Sequence, residues 1–262
     1  MKTVATVAIL NLKGGVGKTT TAVNLAYELS KTGRTLLVDM DAQGNASEFF
    51  GSYKNGASCP AGDVLRGGKG VRSSPAVNAD GREWPGLRIL PANMSLAVTN
   101  NAVLMEPRAG REWRLARYVE TEAWAEWCVI DCPPAINMAS INALMAADLV
   151  LVPVTMDNNA AKGLSETLDQ IADAAAAGGR CRLARALITR LRPDQRTTVD
   201  ALGGVLHGLV LATTAIHEST RRVDAANNSR VPVGLWSSRC RPAQDYRDLA
   251  QEIREVLADE FA

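Results

Sequence analysis

The stretch that decides the fold is residues 12–20, which read LKGGVGKTT. Its second half completes the phosphate-binding pattern G-x-x-x-x-G-K-[ST], but Leu12 occupies the position of the first glycine in that pattern. A second lysine, Lys13, stands five residues before the expected phosphate-binding Lys18. A loop that serves one triphosphate needs one lysine, so the second lysine calls for a separate explanation.

The surroundings of this stretch favour a true phosphate-binding loop. The apolar run 4–10 predicts a strand before it, and the pattern over 18–32 predicts a helix after it, with Gly33 as the stop. Glycines let consecutive backbone N–H groups turn toward phosphate oxygens, and the helix N-terminus adds partial positive charge. We expect Lys18 to reach the β- and γ-phosphates and the Thr19 hydroxyl to ligate Mg²⁺. The predicted nucleotide-binding residues are Gly14, Gly15, Val16, Gly17, Lys18, Thr19 and Thr20.

Short apolar runs alternate with helical patterns along the whole chain. Most of the runs lack the in/out alternation of a half-exposed strand, as is typical of parallel strands covered on both faces. The pattern predicts an α/β fold with a single doubly wound, mostly parallel sheet and helices on both faces. The predicted strands are 4–10, 35–39, 87–90, 127–131, 149–154, 185–190 and 209–213, and the predicted helices include 18–32, 137–147, 160–176 and 243–258.

Length and composition predict one domain over 1–262. Hydrophobic residues make up 47% of the 262 residues and charged residues 22%, which is enough for a sizeable core. Residues 51–86 carry eight glycines and three prolines, and we interpret them as a surface excursion with one short helical pattern near Ala61–Leu65. No apolar run approaches the roughly 18 residues of a membrane span. The five cysteines are scattered without a C-x-x-C pair, which favours reduced thiols and a cytoplasmic protein.

Three acids stand where predicted strands end. Asp39 and Asp41 lie at and just beyond the second strand, in LLVDMDAQGN. Asp131 ends the strand in WCVIDCPP, the usual position for an acid that holds Mg²⁺ through water. The prolines after it predict a stiff loop that can respond to a γ-phosphate.

Positive charge is concentrated in one region although the net charge is only +1. Residues 180–247 contain twelve arginines against five acids, which gives +7. The final fifteen residues are acidic.

These motifs together resemble the ParA branch of the deviant-Walker ATPases. The strongest matches are KGGVGKTT at 13–20, VDMDAQGNAS at 38–47 and VIDCPPAINMASINAL at 129–144. Weaker similarities follow at 86–97, 151–171 and 241–253, so the resemblance covers nearly the whole chain.

The resemblance supplies a role for the second lysine. In that family the residue matching Lys13 crosses a dimer interface and contacts the phosphates held by the other subunit. A triphosphate carries about four negative charges, and one lysine with Mg²⁺ leaves part of them uncompensated. The resemblance also implies that Asp41 positions the attacking water, Asp39 supports the metal site, and Asp131 is the Mg²⁺ acid. The implied catalytic residues are therefore Lys13, Lys18, Asp41 and Asp131, and the implied metal residues are Thr19, Asp39 and Asp131.

The family also implies a partner and a location. Its ATP-bound dimer binds DNA without sequence preference, through basic residues in the C-terminal third of the chain. The matching candidates are Arg190, Arg192, Arg196, Arg221 and Arg222. Slow hydrolysis stimulated by a ParB-like centromere-binding partner, and association with the nucleoid, are further expectations. ATP is expected rather than GTP because no N-K-x-D element occurs, but IHESTRR at 216–222 departs from the family pattern, so base contacts stay unassigned.

Several alternatives stay open. One is a ParA-like ATPase that positions a protein cargo, and another is a regulator in which ATP sets only the dimer state. A membrane-positioning relative needs a basic terminal helix, whereas DLAQEIREVLADEFA is acidic. A metal-cluster carrier needs paired thiolates, which the cysteine spacing does not offer. The first predicted strand lies so close to residue 1 that we expect no operator-reading domain before it. His207 and His217 show no acid at a useful spacing and receive no role.

Overall fold

The computed structural model describes residues 4–56, 58–78, 80–156, 160–195 and 209–261. In this part of the chain the strands are β1 Ala5–Ile9, β2 Thr35–Asp39, β3 Ser74–Val77, β4 Glu83–Leu90, β5 Trp127–Asp131, β6 Leu149–Thr155, β7 Leu183–Thr189 and β8 Val210–Leu211. The α-helices are α1 Lys18–Ser30, α2 Asn45–Phe49, α3 Pro60–Leu65, α4 Ser95–Leu104, α5 Arg114–Thr121, α6 Met138–Ala146, α7 Ala160–Ala176, α8 Thr220–Asn228, α9 Val233–Trp236 and α10 Arg241–Phe261. Short 3₁₀ turns lie at Arg111–Trp113 and Pro193–Gln195.

The strands form one eight-stranded sheet in the order β3-β4-β2-β5-β1-β6-β7-β8. Every neighbouring pair is parallel except β3 with β4, which is antiparallel at the edge. The predicted doubly wound, mostly parallel α/β fold is therefore confirmed. Parallel strands need long crossovers, and the helices between them supply these while covering both faces.

The sheet separates two hydrophobic layers. Alternate residues of β1 show why its sequence is mostly apolar: Val7 and Ile9 pack with α1 and α10, whereas Ala8 packs with the layer that contains α3, α5 and α6. Successive strand residues point to opposite faces, so a strand covered on both faces is apolar at most positions. The exception, Thr6, is buried and donates its hydroxyl to the Val4 carbonyl.

The carboxyl ends of three central strands meet at one edge of the sheet. Asp131 at the end of β5 lies beside Ile9 of β1 on one side and beside Asp39 of β2 on the other. The loop between β1 and α1 leaves from the same edge. In open α/β sheets this edge is where ligands bind, at the point where the strand order reverses.

Residues 51–86 contribute more to the fold than the sequence suggested. They hold α3, whose Ala61, Val64 and Leu65 are buried in the core, and the edge strand β3, which was not predicted. β4 begins at Glu83, four residues before the predicted strand. The edge strand reads SPAV, with a proline and little apolar periodicity, so its sequence gives no strand signal.

All five cysteines are free and buried, as expected for reduced thiols. None of the described helices combines the length and the apolar character needed to cross a membrane.

Candidate nucleotide site

The loop between β1 and α1 is held in shape by hydrogen bonds to neighbouring strands. Thr189, at the end of β7, donates its hydroxyl to the Val16 carbonyl at 2.8 Å. The Asn11 side chain donates to the Pro153 carbonyl at 2.7 Å and accepts from the Lys13 backbone N–H at 2.8 Å. These bonds fix the loop on β6 and β7, so its backbone N–H groups are preorganised for an anion.

Two glycines make the tight path of the loop possible. Gly15 and Gly17 have φ of 76° and 89°, in the left-handed region that disfavours a side chain. Gly17 caps α1, and its carbonyl accepts the Thr21 N–H at 2.8 Å. The first N–H groups of the helix therefore face the space above the loop, where the helix dipole favours negative charge.

Lys18 points back across the loop that precedes it. Its ammonium group donates to the Lys13 carbonyl at 2.9 Å, and the residue is 7% exposed. Burial lowers the pKa of Lys18, and the nearby carboxyl of Asp131 opposes that effect. A buried ammonium with one neutral partner is electrostatically under-compensated, so a phosphate group placed here gains a strong charge-assisted hydrogen bond.

Asp39 is buried, and donors of the chain itself satisfy it. Its carboxylate accepts from the Ser47 backbone N–H at 2.8 Å, the Ser47 hydroxyl at 2.7 Å and the Asp41 N–H at 3.1 Å. Desolvation raises the pKa of Asp39, and the hydrogen bonds from Ser47 oppose the rise. Asp39 therefore positions the turn that carries Asp41, whose carboxylate accepts the Gln43 N–H at 2.9 Å and stays partly exposed.

Asp131 has the opposite environment. It is 0% exposed, and neither carboxylate oxygen has a hydrogen-bond partner of good geometry among the described residues. Desolvation raises the pKa of Asp131, the neighbouring Asp39 raises it further, and the facing Thr19 hydroxyl and Lys18 lower it. A buried carboxylate without a donor costs stability unless a ligand compensates it.

This environment fits a Mg²⁺ site of the kind that uses few protein carboxylates. The described residues contain no group of three or more His, Cys, Asp or Glu side chains that could cage a metal. Mg²⁺ prefers oxygen ligands, keeps several waters, and commonly takes one or two protein groups together with substrate phosphates. The Thr19 hydroxyl and, through water, the Asp131 carboxylate would supply that set.

A cleft of about 140 Å³ opens beside the start of α1. Gly17 and Thr20 form one wall, Thr189 and Arg190 another, and His217 a third. The cleft shares Gly17 with the phosphate loop, and Asp131 is not one of its lining residues. It is therefore a space next to the phosphates where the rest of a nucleotide can lie.

His217 in this cleft does have an acidic partner, contrary to the sequence interpretation. Its Nδ1 lies 3.0 Å from the Asp245 carboxylate, which also accepts the His217 backbone N–H at 2.8 Å. Arg241 donates Nε to the other oxygen of Asp245 at 2.9 Å, so its 3.4 Å approach to Nδ1 is secondary. The neutral tautomer that donates its Nδ1–H to Asp245 presents Nε2 as an acceptor. The partners are 28 residues apart, on a loop and on α10, so no local spacing could have indicated them.

The described members of the predicted DNA-contacting set lie in different segments of the chain. Arg190 lines the nucleotide-side cleft. Arg192 is exposed and lies 3.8 Å from Asp194, and Arg222, near the start of α8 next to Arg221, donates to the Ser237 hydroxyl at 2.6 Å. Arg196 lies outside the described residues.

A phosphate-binding loop on a doubly wound sheet, with a buried acid at the end of a neighbouring strand, defines a P-loop nucleotide-binding protein. A family model described as "AAA domain" matches residues 4–178. The chromosome partitioning protein ParA of Caulobacter vibrioides is 32% identical over 255 residues, covering 94% of this chain and 92% of that protein. The sporulation initiation inhibitor protein Soj of Bacillus subtilis is 33% identical over 259 residues, covering 94% and 97%.

The chain therefore belongs to the ParA/Soj family of P-loop ATPases. Among solved structures, cobyrinic acid a,c-diamide synthase from Mycobacterium smegmatis, with bound ATP analogue and magnesium, has a TM-score of 0.75 at 27% identity. The match covers 95% of this chain and 93% of that protein.

Proposed function

We propose that this protein hydrolyses ATP to ADP and phosphate with Mg²⁺, and that it uses the ATP-bound dimer to act as a DNA partition ATPase. One observation supports this most: Asp131, buried and without a donor of good geometry among the described residues, stands beside Thr19 and Lys18 at the carboxyl end of the central strands. Family membership and the ATP analogue and magnesium in the similar synthase structure support the same choice of ligands.

Each site residue has a defined task in this proposal. The backbone of residues 14–20 and the Lys18 ammonium hold the phosphates, and Thr19 and Asp131 would hold Mg²⁺, which supplies charge neutralisation at the γ-phosphate. Asp41 is partly exposed on a turn fixed by Asp39, so it can orient a water. Orientation of the nucleophile together with charge stabilisation accounts for most catalysis of phosphoryl transfer.

The proposed dimer depends on Lys13. Lys18 already occupies the inner side of the loop through its bond to the Lys13 carbonyl, so the subunit's own phosphates have their lysine. A second lysine on the same loop can serve the nucleotide of a second copy, which links ATP occupancy to dimerisation. Exposed apolar side chains lie near the same edge: Met94, whose sulfur contacts Gln43, is 49% exposed, and Ile136 is 53% exposed. Such side chains favour burial against a partner.

The cleft beside α1 is the proposed nucleobase pocket. Its wall carries the Nε2 acceptor of His217, which suits the exocyclic amino group of adenine and disfavours the carbonyl that guanine has at that position. This agrees with the expected choice of ATP over GTP.

DNA is the proposed partner of the dimer, with a ParB-like protein as the stimulating partner and the nucleoid as the location in the cytoplasm. Pairing two chains doubles the number of cations presented to phosphates, so ATP would raise DNA affinity. Arg192, Arg221 and Arg222 are exposed and belong to this proposal.

The test is Lys13→Ala against the matched variant Lys54→Ala. We expect Lys13→Ala to bind a non-hydrolysable ATP analogue with Mg²⁺ yet to remain monomeric in size-exclusion chromatography with light scattering. Lys54→Ala, which changes an exposed lysine outside the phosphate loop, should dimerise like the parent protein. ATP-dependent dimers of Lys13→Ala would contradict the proposal. A rate of ATP turnover that is no higher than that of a protein-free blank, and that Asp41→Ala leaves unchanged, would support the regulator without hydrolysis instead.

A further inference from the structure

A second basic surface lies outside the arginine-rich region that the sequence indicated. It is a groove of about 780 Å³ between the loop that follows α3 and the start of α5, here named the 66–117 groove. Glu122 is the sole acid among the described residues that line it. The lining cations are Arg66, Lys69, Arg72, Arg108, Arg114 and Arg117.

Two of these cations build the groove. Arg114, with 12% of its side chain exposed, donates to Glu106 and to the Leu65 carbonyl, each at 2.5 Å. It holds the pKa of Glu106 below its usual range. Arg66 is paired with Asp63 at 3.1 Å. Both are used within the chain, and Arg114 joins the end of α3 to the start of α5.

The other four cations are exposed and make no hydrogen bond or ion pair with described residues: Lys69, Arg72, Arg108 and Arg117. Arg117 packs closely against the backbone of Gly110. A Cβ at position 110 would lie only 2.9 Å from Arg117 Nη2, and the φ of 82° also disfavours a side chain there. By contrast, several arginines of 180–247 are engaged, as with Arg180 and Glu120 at 3.2 Å or Arg241 and Asp245 at 2.9 Å. Several arginines of that region therefore have acidic partners, whereas these four groove cations have none among the described residues.

The chemistry of the groove favours a phosphate polymer over a protein. The centre of a protein interface usually holds buried aromatic or aliphatic anchors, with charged residues depleted. The large exposed hydrophobic side chains of the described residues, such as Met105 and Trp236, are not among the groove's lining residues. A concave surface with one sign of charge focuses its field and attracts a polyanion. Arginine and lysine contacts to phosphates need no base sequence.

We propose that the 66–117 groove binds the phosphate backbone of DNA within a single subunit, without ATP. This extends the proposed DNA association to a second surface but does not depend on the ATP dimer, because all its cations come from one chain. Contact by four cations predicts a slope of log affinity against log salt of about −3 to −4.

The test measures fluorescence anisotropy of a labelled 30-base-pair duplex with nucleotide-free protein across a salt series. The variant is Lys69→Gln/Arg108→Gln/Arg117→Gln. The matched control is Arg34→Gln/Lys54→Gln/Arg82→Gln, which removes equal charge from exposed positions outside the groove. We expect the groove variant to lose at least about tenfold in affinity at low salt and to have a slope shallower by about 2–3, while the control keeps both.

Three results would overturn the proposal: no salt-sensitive binding by the nucleotide-free parent protein, equal losses in variant and control, or displacement of DNA from the groove by poly-glutamate at lower charge concentration. The last would identify an acidic protein as the ligand. The ATP-dependent gain in affinity is measured separately, with Arg192, Arg221 and Arg222 changed to Gln. Loss of the ATP-dependent gain in these variants would support the proposed DNA contact of the dimer. Neither outcome of this measurement changes the result for the groove.

Discussion

The Asp131 carboxylate, buried and without a hydrogen-bond donor of good geometry among the described residues, predicts that the protein loses stability to keep the proposed metal site. The perturbation is Asp131→Asn, which removes the charge and keeps the shape. Because the pKa of Asp131 is raised in the folded state, the folded carboxyl stays protonated over a pH range in which the unfolded one is ionised. The contribution of Asp131 to stability is therefore greatest below the unfolded pKa near 3.9 and falls as pH rises toward the folded pKa.

The magnitude follows from the size of that pH range. Each pH unit within it costs about 1.4 kcal/mol of unfolding free energy. The asparagine amide of the variant does not titrate, and it is as poorly partnered at low pH as at neutral pH. The variant should therefore gain stability relative to the parent protein as pH rises, whatever its offset at the acid end.

The assay is urea unfolding at several pH values between about 5 and 8, without nucleotide and with a chelator present. Asp194→Asn is the control, because that side chain is 75% exposed and should change little. A second arm adds Mg²⁺ and a non-hydrolysable ATP analogue, which should stabilise the parent protein and stabilise Asp131→Asn much less. The reasoning would be refuted if the unfolding free energy of Asp131→Asn, minus that of the parent protein, stays constant or falls as pH rises.

Three further predictions concern groups that hold the site in place. Thr189→Val removes the hydroxyl that donates to the Val16 carbonyl, so the affinity for ATP, measured by calorimetry, should fall about three- to tenfold. The far-UV circular dichroism spectrum should stay like that of the parent protein. Unchanged affinity would show that the loop keeps its shape without this hydrogen bond. Ser47→Ala leaves Asp39 without its hydroxyl donor and the Ala92 N–H without its acceptor, so thermal unfolding should report a loss of about 2–4 kcal/mol; a neutral effect would show that Asp39 is compensated otherwise. Asp245→Asn weakens the hydrogen bonds that hold His217 and should lower the free energy of unfolding by about 1–3 kcal/mol. It should also reduce the discrimination between ATP and GTP in competition binding. Unchanged discrimination would show that His217 does not contact the base.

The central fold was predictable because its signals are local. The apolar run 127–131 indicates a buried strand, and the glycines and lysines of 12–20 stand at the spacing of a phosphate-binding loop. The order of strands and helices along the chain then leaves few possible topologies. The edge strand β3 escaped prediction because its residues are half polar and include a proline, so only pairing with β4 makes them a strand.

The parts of the site that depend on tertiary contacts were not predictable. The side chains of Asp39 and Asp131 look alike in the sequence, but one accepts three hydrogen bonds and the other accepts none of good geometry from described residues. The partnership of His217 with Asp245 and the 66–117 groove likewise join segments far apart in the chain. Charge counts along the sequence cannot tell a paired arginine from an unpaired one.

The most direct test of the account is a crystal structure of the Mg²⁺-bound dimer with a non-hydrolysable ATP analogue. The quantity to measure is the distance from Lys13 Nζ to the nearest phosphate oxygen of the nucleotide held by the other subunit. The account predicts about 2.7–3.0 Å, a charge-assisted hydrogen bond. A Lys13 side chain directed into solvent, or bound only to the nucleotide of its own subunit, would contradict it.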